Sequence, residues 1–225
     1  KAGVGALTNA LELDRVEVVY DDFHALKGVS LAVQPGEAFG LVGESGSGKS
    51  TILRAIAGLA PVASGTINID GQSLSKRRDK AFYRSVQMVF QDPYSTLNPM
   101  MKVGDILAEP LIINDILCDI ESTLRKVGLD ASILGKYPHE ISGGQKQRVA
   151  IARALVLEPE LLICDEALSS VDEDNKNLII KILKNLKEKK VSLILIAHDL
   201  TIVKEISDYV GIMLEGKLVE FGLIN

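Results

Sequence analysis

The 225-residue sequence contains no tryptophan, only 4% aromatic residues and two cysteines. A surface that stacks the bases of single-stranded nucleic acid needs more aromatic side chains than this. Cys118 and Cys164 are too few for a disulfide framework or a cysteine-rich metal site, and Cys164 falls in an apolar strand pattern where it reads as a small core residue. A reducing compartment is the simplest setting for such usage. Basic excess is missing too. Lys and Arg total 25 against 30 Asp and Glu, a net charge of −5, so no nucleic-acid partner is expected. No stretch approaches the ~18 consecutive apolar residues of a membrane span. The first ten residues lack the apolar centre of a signal peptide, and none is expected there. No fold is placed on residues 1–5.

What is present is ordinary globular composition, with 47% hydrophobic and 24% charged residues. The length suits one domain with an inserted subdomain. Apolar strand patterns occupy residues 11–20, 29–33, 38–42, 66–69 and 86–90, and turn signals follow at Pro35-Gly36 and Asp70-Gly71. Residues 49–59 have helix spacing, with Ile52, Leu53, Ile56 and Leu59 on one side. Between 92 and 158 only helical periods appear, at 103–111, 120–127 and 145–157, which predicts a helical insertion. Strand patterns return at 161–164, 193–197 and 210–214, with helix patterns at 173–189 and 200–206 between them. Alternating strands and helices predict a parallel sheet covered on both faces. The basic run 184–190 reads as a solvated helix face. The expected division is 1–91, 92–157 and 158–225.

Gly43-Glu44-Ser45-Gly46-Ser47-Gly48-Lys49-Ser50 fits G-x-x-x-x-G-K-[ST] between a strand and a helix, the context that pattern requires. Glycines let the backbone curl so that N–H groups point inward, and the helix start adds partial positive charge. Lys49 is placed on the β- and γ-phosphates and Ser50 on Mg²⁺. Gly43, Ser45, Gly46, Gly48 and Thr51 complete the cradle. The loop alone does not choose between kinases, GTPases and ATPases. Residues 161–166 form an apolar strand ending in Asp165 and Glu166. Asp165 can hold Mg²⁺. Glu166, a weak base, can position water against an activated phosphoryl group.

Ser142-Gly143-Gly144-Gln145 opens the third helical period of the insertion. Ser-x-x-Gln is a capping box, but a cap does not need two glycines, which weaken a helix start by roughly 1 kcal/mol each. They make sense if something approaches the backbone closely, as a phosphate would. The chain already has a phosphate loop of its own, so this second anion site suggests a nucleotide held by a partner chain.

The phosphate loop, Ile141-Ser142-Gly143-Gly144-Gln145-Lys146-Gln147-Arg148 and the segment from Asp165 to Asp172 together resemble the ATP-binding cassette (ABC) ATPases over nearly the whole chain. The resemblance implies an α/β fold: a P-loop NTPase core with a mostly parallel sheet, an N-terminal antiparallel β part and an inserted α-helical subdomain. It implies Mg²⁺-dependent ATP hydrolysis by a sandwich dimer, each nucleotide lying between one chain's phosphate loop and the other's signature helix. Ser142, Gly143, Gly144 and Gln145 would then face the partner's nucleotide. By position, Tyr20 would stack on adenine, with Phe23 a nearby alternative. Gln91 would contact Mg²⁺ and the attacking water. Glu166 matches the catalytic carboxylate, Asp172 the aspartate that communicates across the dimer, and His198 the histidine at the γ-phosphate. Packing alternatives stay open: Tyr20 as a strand residue, Gln91 as a strand cap, His198 as a core histidine. His24 and His139 receive no chemistry. The sequence departs from the commoner Asp-Glu-Pro-Thr-Ser-Ala-Leu-Asp form and has Ile141 where Leu is usual; both changes are apolar or small.

Gln91-Asp92-Pro93-Tyr94-Ser95-Thr96-Leu97-Asn98-Pro99, followed by Val103-Gly104-Asp105-Ile106-Leu107-Ala108-Glu109-Pro110, resembles the oligopeptide, dipeptide and nickel importers. In that group the segment begins the helical subdomain and lines the groove for a membrane subunit. The implied partners are transmembrane permease subunits, a second ABC ATPase subunit (identical or related) and, indirectly, an extracytoplasmic substrate-binding protein. The implied location is the cytoplasmic face of the membrane, as a peripheral protein. A soluble repair or translation ATPase usually carries long insertions that 225 residues do not accommodate. Glu166 and His198 argue against a silent ATP-binding switch.

Overall fold

The computed structural model describes residues 8–92, 96–168, 171–198 and 200–224. Residues 93–95 of the importer-like segment, 169–170 of the Asp165 to Asp172 segment, Asp199 and residues 1–5 lie outside that set. The chain divides into two units, residues 1–78 with 187–225, and residues 79–186.

In the first unit, β1 (Leu11–Tyr20) pairs antiparallel with β2 (Phe23–Val33) on one side and with β4 (Val62–Ile69) on the other. The two-residue β5 (Gln72–Ser73) continues the sheet. Burial along β1 runs Leu11, Leu13, then Val16, Val18. The phase changes at a bulge, where Arg15 takes a left-handed backbone (φ 46°) and the register to β2 slips between Leu13 and Val16. One extra residue restores the inward face after the kink. A second sheet centres on β3 (Ala38–Gly43), which pairs in parallel with β8 (Ser192–Ile196) and β9 (Tyr209–Leu214). β9 turns back antiparallel into β10 (Lys217–Leu223). β3 and β8 are buried almost throughout, as strands covered on both faces must be. Helix α1 (Lys49–Ile56) buries Ile52, Leu53, Ala55 and Ile56. It stops three residues before the periodic pattern does, because Gly58 is left-handed (φ 76°) and Leu59 N–H donates back to the Arg54 carbonyl, closing the last turn.

In the second unit, β6 (Val86–Val89) pairs in parallel with β7 (Leu161–Asp165). The short α2 (Lys80–Ser85) precedes β6 and is capped by Asp79, whose carboxylate accepts from Phe82 N–H at 2.8 Å. Six residues are too few for a periodic signal, so this helix was not legible from spacing. Then come α3 (Val103–Asn114), α4 (Ile120–Lys126) and α5 (Gly143–Leu155). Between 96 and 158 the described residues contain helices and turns but no strand, as the helical periods predict. Arg148 of α5 donates to the carbonyls of Gly128 (2.7 Å) and Val127 (3.5 Å), so its guanidinium caps the end of α4. Burial pulls that guanidinium below its usual pKa, and Asp172 acts in the opposite direction. Helix α6 (Glu173–Glu188) turns Ile179, Ile180, Ile182, Leu183 and Leu186 inward. The last helix, α7 (Leu200–Ile206), belongs to the first unit, where Val203 packs in a cluster with Val42 and Ala197.

Candidate nucleotide site

The glycine-rich turn joins β3 to α1. At Gly43 any side chain would collide, since a Cβ would lie 2.3 Å from the Met213 carbonyl oxygen and 2.8 Å from Ser47 Oγ. Gly48, at the start of α1, is left-handed (φ 106°), a conformation an L side chain resists. Lys49 is only 5% exposed, and its ammonium donates to the carbonyls of Gly43 and Glu44, both at 2.8 Å, and to Ser47 Oγ at 3.4 Å. The turn is therefore wound around a buried cation. The cap residue, Gly48, gives α1 no side-chain hydrogen bond, and the first turn holds no acidic residue. The cap residue thus brings no acceptor of its own to the positive end of the helix. A buried ammonium beside a glycine-capped helix start fits an anion. Ser45, Gly46 and Ser50 are exposed and Thr51 half-buried.

The same sheet brings His198 to this end. Ala197 N–H reaches the Leu41 carbonyl at 3.4 Å, so the chain leaves β8 alongside the place where β3 enters the turn. His198 is exposed, which rules out a core histidine. Tyr20 ends β1, half-buried, and faces Phe23 across a two-residue hairpin; Phe23 is 67% exposed. Both rings remain candidates for the adenine.

In the second unit, Val89 lies opposite Cys164 in the parallel pair, so the strands end at one edge. Asp165 is the last residue of β7, Glu166 follows it, and Gln91 lies two residues past β6. Glu166 has a left-handed backbone (φ 51°), uncommon for a residue with a Cβ and held only where neighbours enforce it. Next to it Gln147, 1% exposed, donates its side-chain amide to the Ala167 carbonyl at 2.8 Å. The sequence reading assigned Gln147 nothing. Its signal was a glutamine at helix spacing from Gly144 and Ile151, on the inward stripe of α5. Cys164, buried beside Asp165, has its thiol pushed up to about 12, first by burial and then by that carboxylate, in keeping with an inert core residue.

Helix α5 opens on both bonds of the capping box: Gln145 N–H to Ser142 Oγ at 3.2 Å and Ser142 N–H to Gln145 Oε1 at 2.9 Å. Gly144 is also approached closely from within the chain. A Cβ there would lie 2.3 Å from Asn175 Cγ and Nδ2, so protein fills that space. Ser142 and Gly143 are exposed. Asp172 accepts from Asn175 N–H at 3.0 Å, and its carbonyl starts the helical ladder at Lys176, which makes it the N-cap of α6. This structural role was missed because Asp172 was read by position alone.

Residues 26–169 match the family model described as ABC transporter. The chain belongs to the ABC transporter family. Among ABC transporter proteins it is 45% identical over 209 residues to the oligopeptide transport ATP-binding protein OppF of Haemophilus influenzae, a match covering 88% of this chain and 63% of that protein. The chain thus spans less than two thirds of the length of that relative. Its fold matches cbiO1 of Clostridium perfringens, part of the ABC transporter complex cbiONQ, with a TM-score of 0.86 and 30% identity over 96% of this chain and 89% of that one. It also matches the dimeric post-hydrolysis state of the ATP-binding cassette MJ0796 bound to ADP and Pi, with a TM-score of 0.84 and 26% identity over 96% and 99%. The expected α/β fold of an ABC ATPase, with an antiparallel N-terminal sheet and a parallel sheet, is the fold observed. Among the described residues no helix is long and apolar enough to cross a membrane.

Proposed function

We propose that this chain is the ATP-hydrolysing subunit of an ABC importer, powering uptake of peptides through separate membrane subunits, with nickel or a metal chelate as the other cargo class. The observation that carries the reading is the glycine turn wound around buried Lys49 at the start of a helix. The name of the Haemophilus influenzae relative, an oligopeptide transport ATP-binding protein, supports the transport part. Gly43, Ser45, Gly46, Gly48, Lys49, Ser50 and Thr51 bind the phosphates, and Tyr20 stacks on the adenine. The described residues hold no cluster of three His, Cys, Asp or Glu able to cage a metal. Mg²⁺ needs no such cage, since it binds through few protein oxygens and completes its shell with phosphate and water. Ser50, Gln91 and Asp165 are its assigned holders. Bound there, Mg²⁺ neutralises phosphate charge. Glu166 and His198 orient water toward the γ-phosphorus, and Gln91 reports γ-phosphate occupancy to residues 92–157, the helical subdomain that receives the permease.

Ser142, Gly143, Gly144 and Gln145 serve the nucleotide of a second cassette, identical or related, and Asp172 communicates across that pair. The protein works as a peripheral subunit on the cytoplasmic face of the membrane and reaches an extracytoplasmic binding protein only through the permease. No nucleic acid is involved. The test is phosphate release from Mg-ATP by the purified chain over a dilution series. Turnover per chain should fall on dilution as cassettes separate. A rate strictly proportional to protein at all concentrations would sink the paired-site reading.

A further inference from the structure

Asn175 occupies the third position of α6 and is half-buried. Its backbone N–H satisfies the Asp172 cap, which any residue would do. Its side chain does something else. Nδ2 donates to both carboxylate oxygens of Asp172, at 3.0 Å to Oδ1 and 2.8 Å to Oδ2. The same amide lies against the Cα of Gly144, with Cγ, Nδ2 and Oδ1 all within 2.4 Å of where a Cβ would stand. Gly144 is the second residue of α5, inside the turn capped by Ser142. The amide therefore touches the start of the signature helix on one side and fixes the Asp172 carboxylate on the other. A second tie lies further along α5, where Gln147 donates to Ala167 next to Glu166.

We propose that Asn175 is a positioning residue, whose side-chain amide locks the Asp172 carboxylate in register with the first turn of α5. This rests on the proposed function above, in which the Ser142 turn and Asp172 both serve the paired nucleotide sites. The start of α5 and the segments holding Glu166 and Asp172 then move as one body. A displacement of the signature turn is passed directly to Asp172. The carboxylate is the right partner: it is exposed, and its charge-assisted bonds from Asn175 hold its pKa below the ordinary carboxylate range, with the backbone bond the larger cause and the side-chain bond next. It stays an anion and an acceptor across the neutral range.

The test uses two variants of the full chain. Asn175→Ala removes the amide and keeps the backbone cap. Asn175→Asp keeps the shape but replaces a donor with a carboxylate facing another. In Asn175→Ala, kcat for ATP should fall about tenfold while KM changes less than about twofold, since an interaction serving the reacting state and not the first binding step is lost. Asn175→Asp should lose at least as much. By carboxyl NMR, Asp172 should titrate at higher pH in Asn175→Ala than in the unaltered chain. Unaltered kcat in both variants, or an unmoved Asp172 titration, overturns the proposal. Absence of ATP turnover in the unaltered chain would instead remove the parent function and the positioning role with it, and the titration would still report whether the Asn175 clamp exists.

Discussion

Gln147, buried in α5, donates its side-chain amide to the Ala167 carbonyl at 2.8 Å, and so fixes the backbone immediately after Glu166. A glutamine in an otherwise apolar stripe is tolerated because that carbonyl needs a donor. The left-handed Glu166 lies one residue before this anchor. The backbone beside the carboxylate proposed to orient water is thus tied to a residue of α5.

Gln147→Leu keeps most of the volume but leaves the Ala167 carbonyl without its donor. The expected cost is about 1–3 kcal/mol of stability, the range for a buried polar group left unsatisfied. Denaturant unfolding measures this. ATP turnover should drop as well, because Glu166 loses its anchor. A variant with both properties unchanged would show that the bond holds nothing in place.

Lys49→Ala and Glu166→Gln should separate binding from chemistry. The first removes the buried ammonium of the phosphate turn. It should weaken ATP binding by roughly ten- to a hundredfold, the range for a hydrogen bond to a charged group. The second keeps the site's shape and should bind ATP normally, with turnover lower by about a hundredfold or more. Gel filtration with Mg-ATP should show a trapped dimer only for Glu166→Gln. Equal turnover in Glu166→Gln and the unaltered chain would remove Glu166 from its role.

Gly43→Ala forces a methyl to within 2.3 Å of the Met213 carbonyl oxygen. Either β9 or the phosphate turn has to move. The expected destabilisation is about 1–3 kcal/mol, typical of overpacking, together with weaker ATP binding. Thermal unfolding and nucleotide titration read the two effects. Unaltered values for both would mean the turn is wound differently.

The two thiols should differ sharply. Cys118 is partly exposed, whereas Cys164 is buried with its thiol near 12. Iodoacetamide at pH 8.5 should modify Cys118 alone in the folded chain and both cysteines after unfolding, as mass spectrometry would show. The shift also has a sign for stability. The folded thiol keeps its proton above 9.0, where the unfolded thiol ionises. Its contribution is complete below about 9 and is lost as pH climbs toward about 12. Cys164→Ala should flatten that part of the pH–stability curve. An unchanged slope would assign the alkaline loss to other groups.

Much was decided by the sequence alone, because the determinants are local. The phosphate turn needs glycines, a lysine and a helix start within eight consecutive residues. The capping box at Ser142 spans four, and both of its bonds are present. The buried strands β3, β7 and β8 are short apolar runs whose neighbours in sequence are turns and helices. Spacing showed less where elements are short or face solvent, as at α2 and at β10, with Val219, Phe221 and Leu223 exposed. Tertiary structure alone decided the partners of residues distant in the chain. At Gly144 a side chain would meet the amide of Asn175, 31 positions later. Asp172 is a helix cap as well as a site residue, and Gln147 anchors the turn beyond Glu166. Such contacts form only when the chain folds back on itself, and neither periodicity nor composition records which side chain arrives.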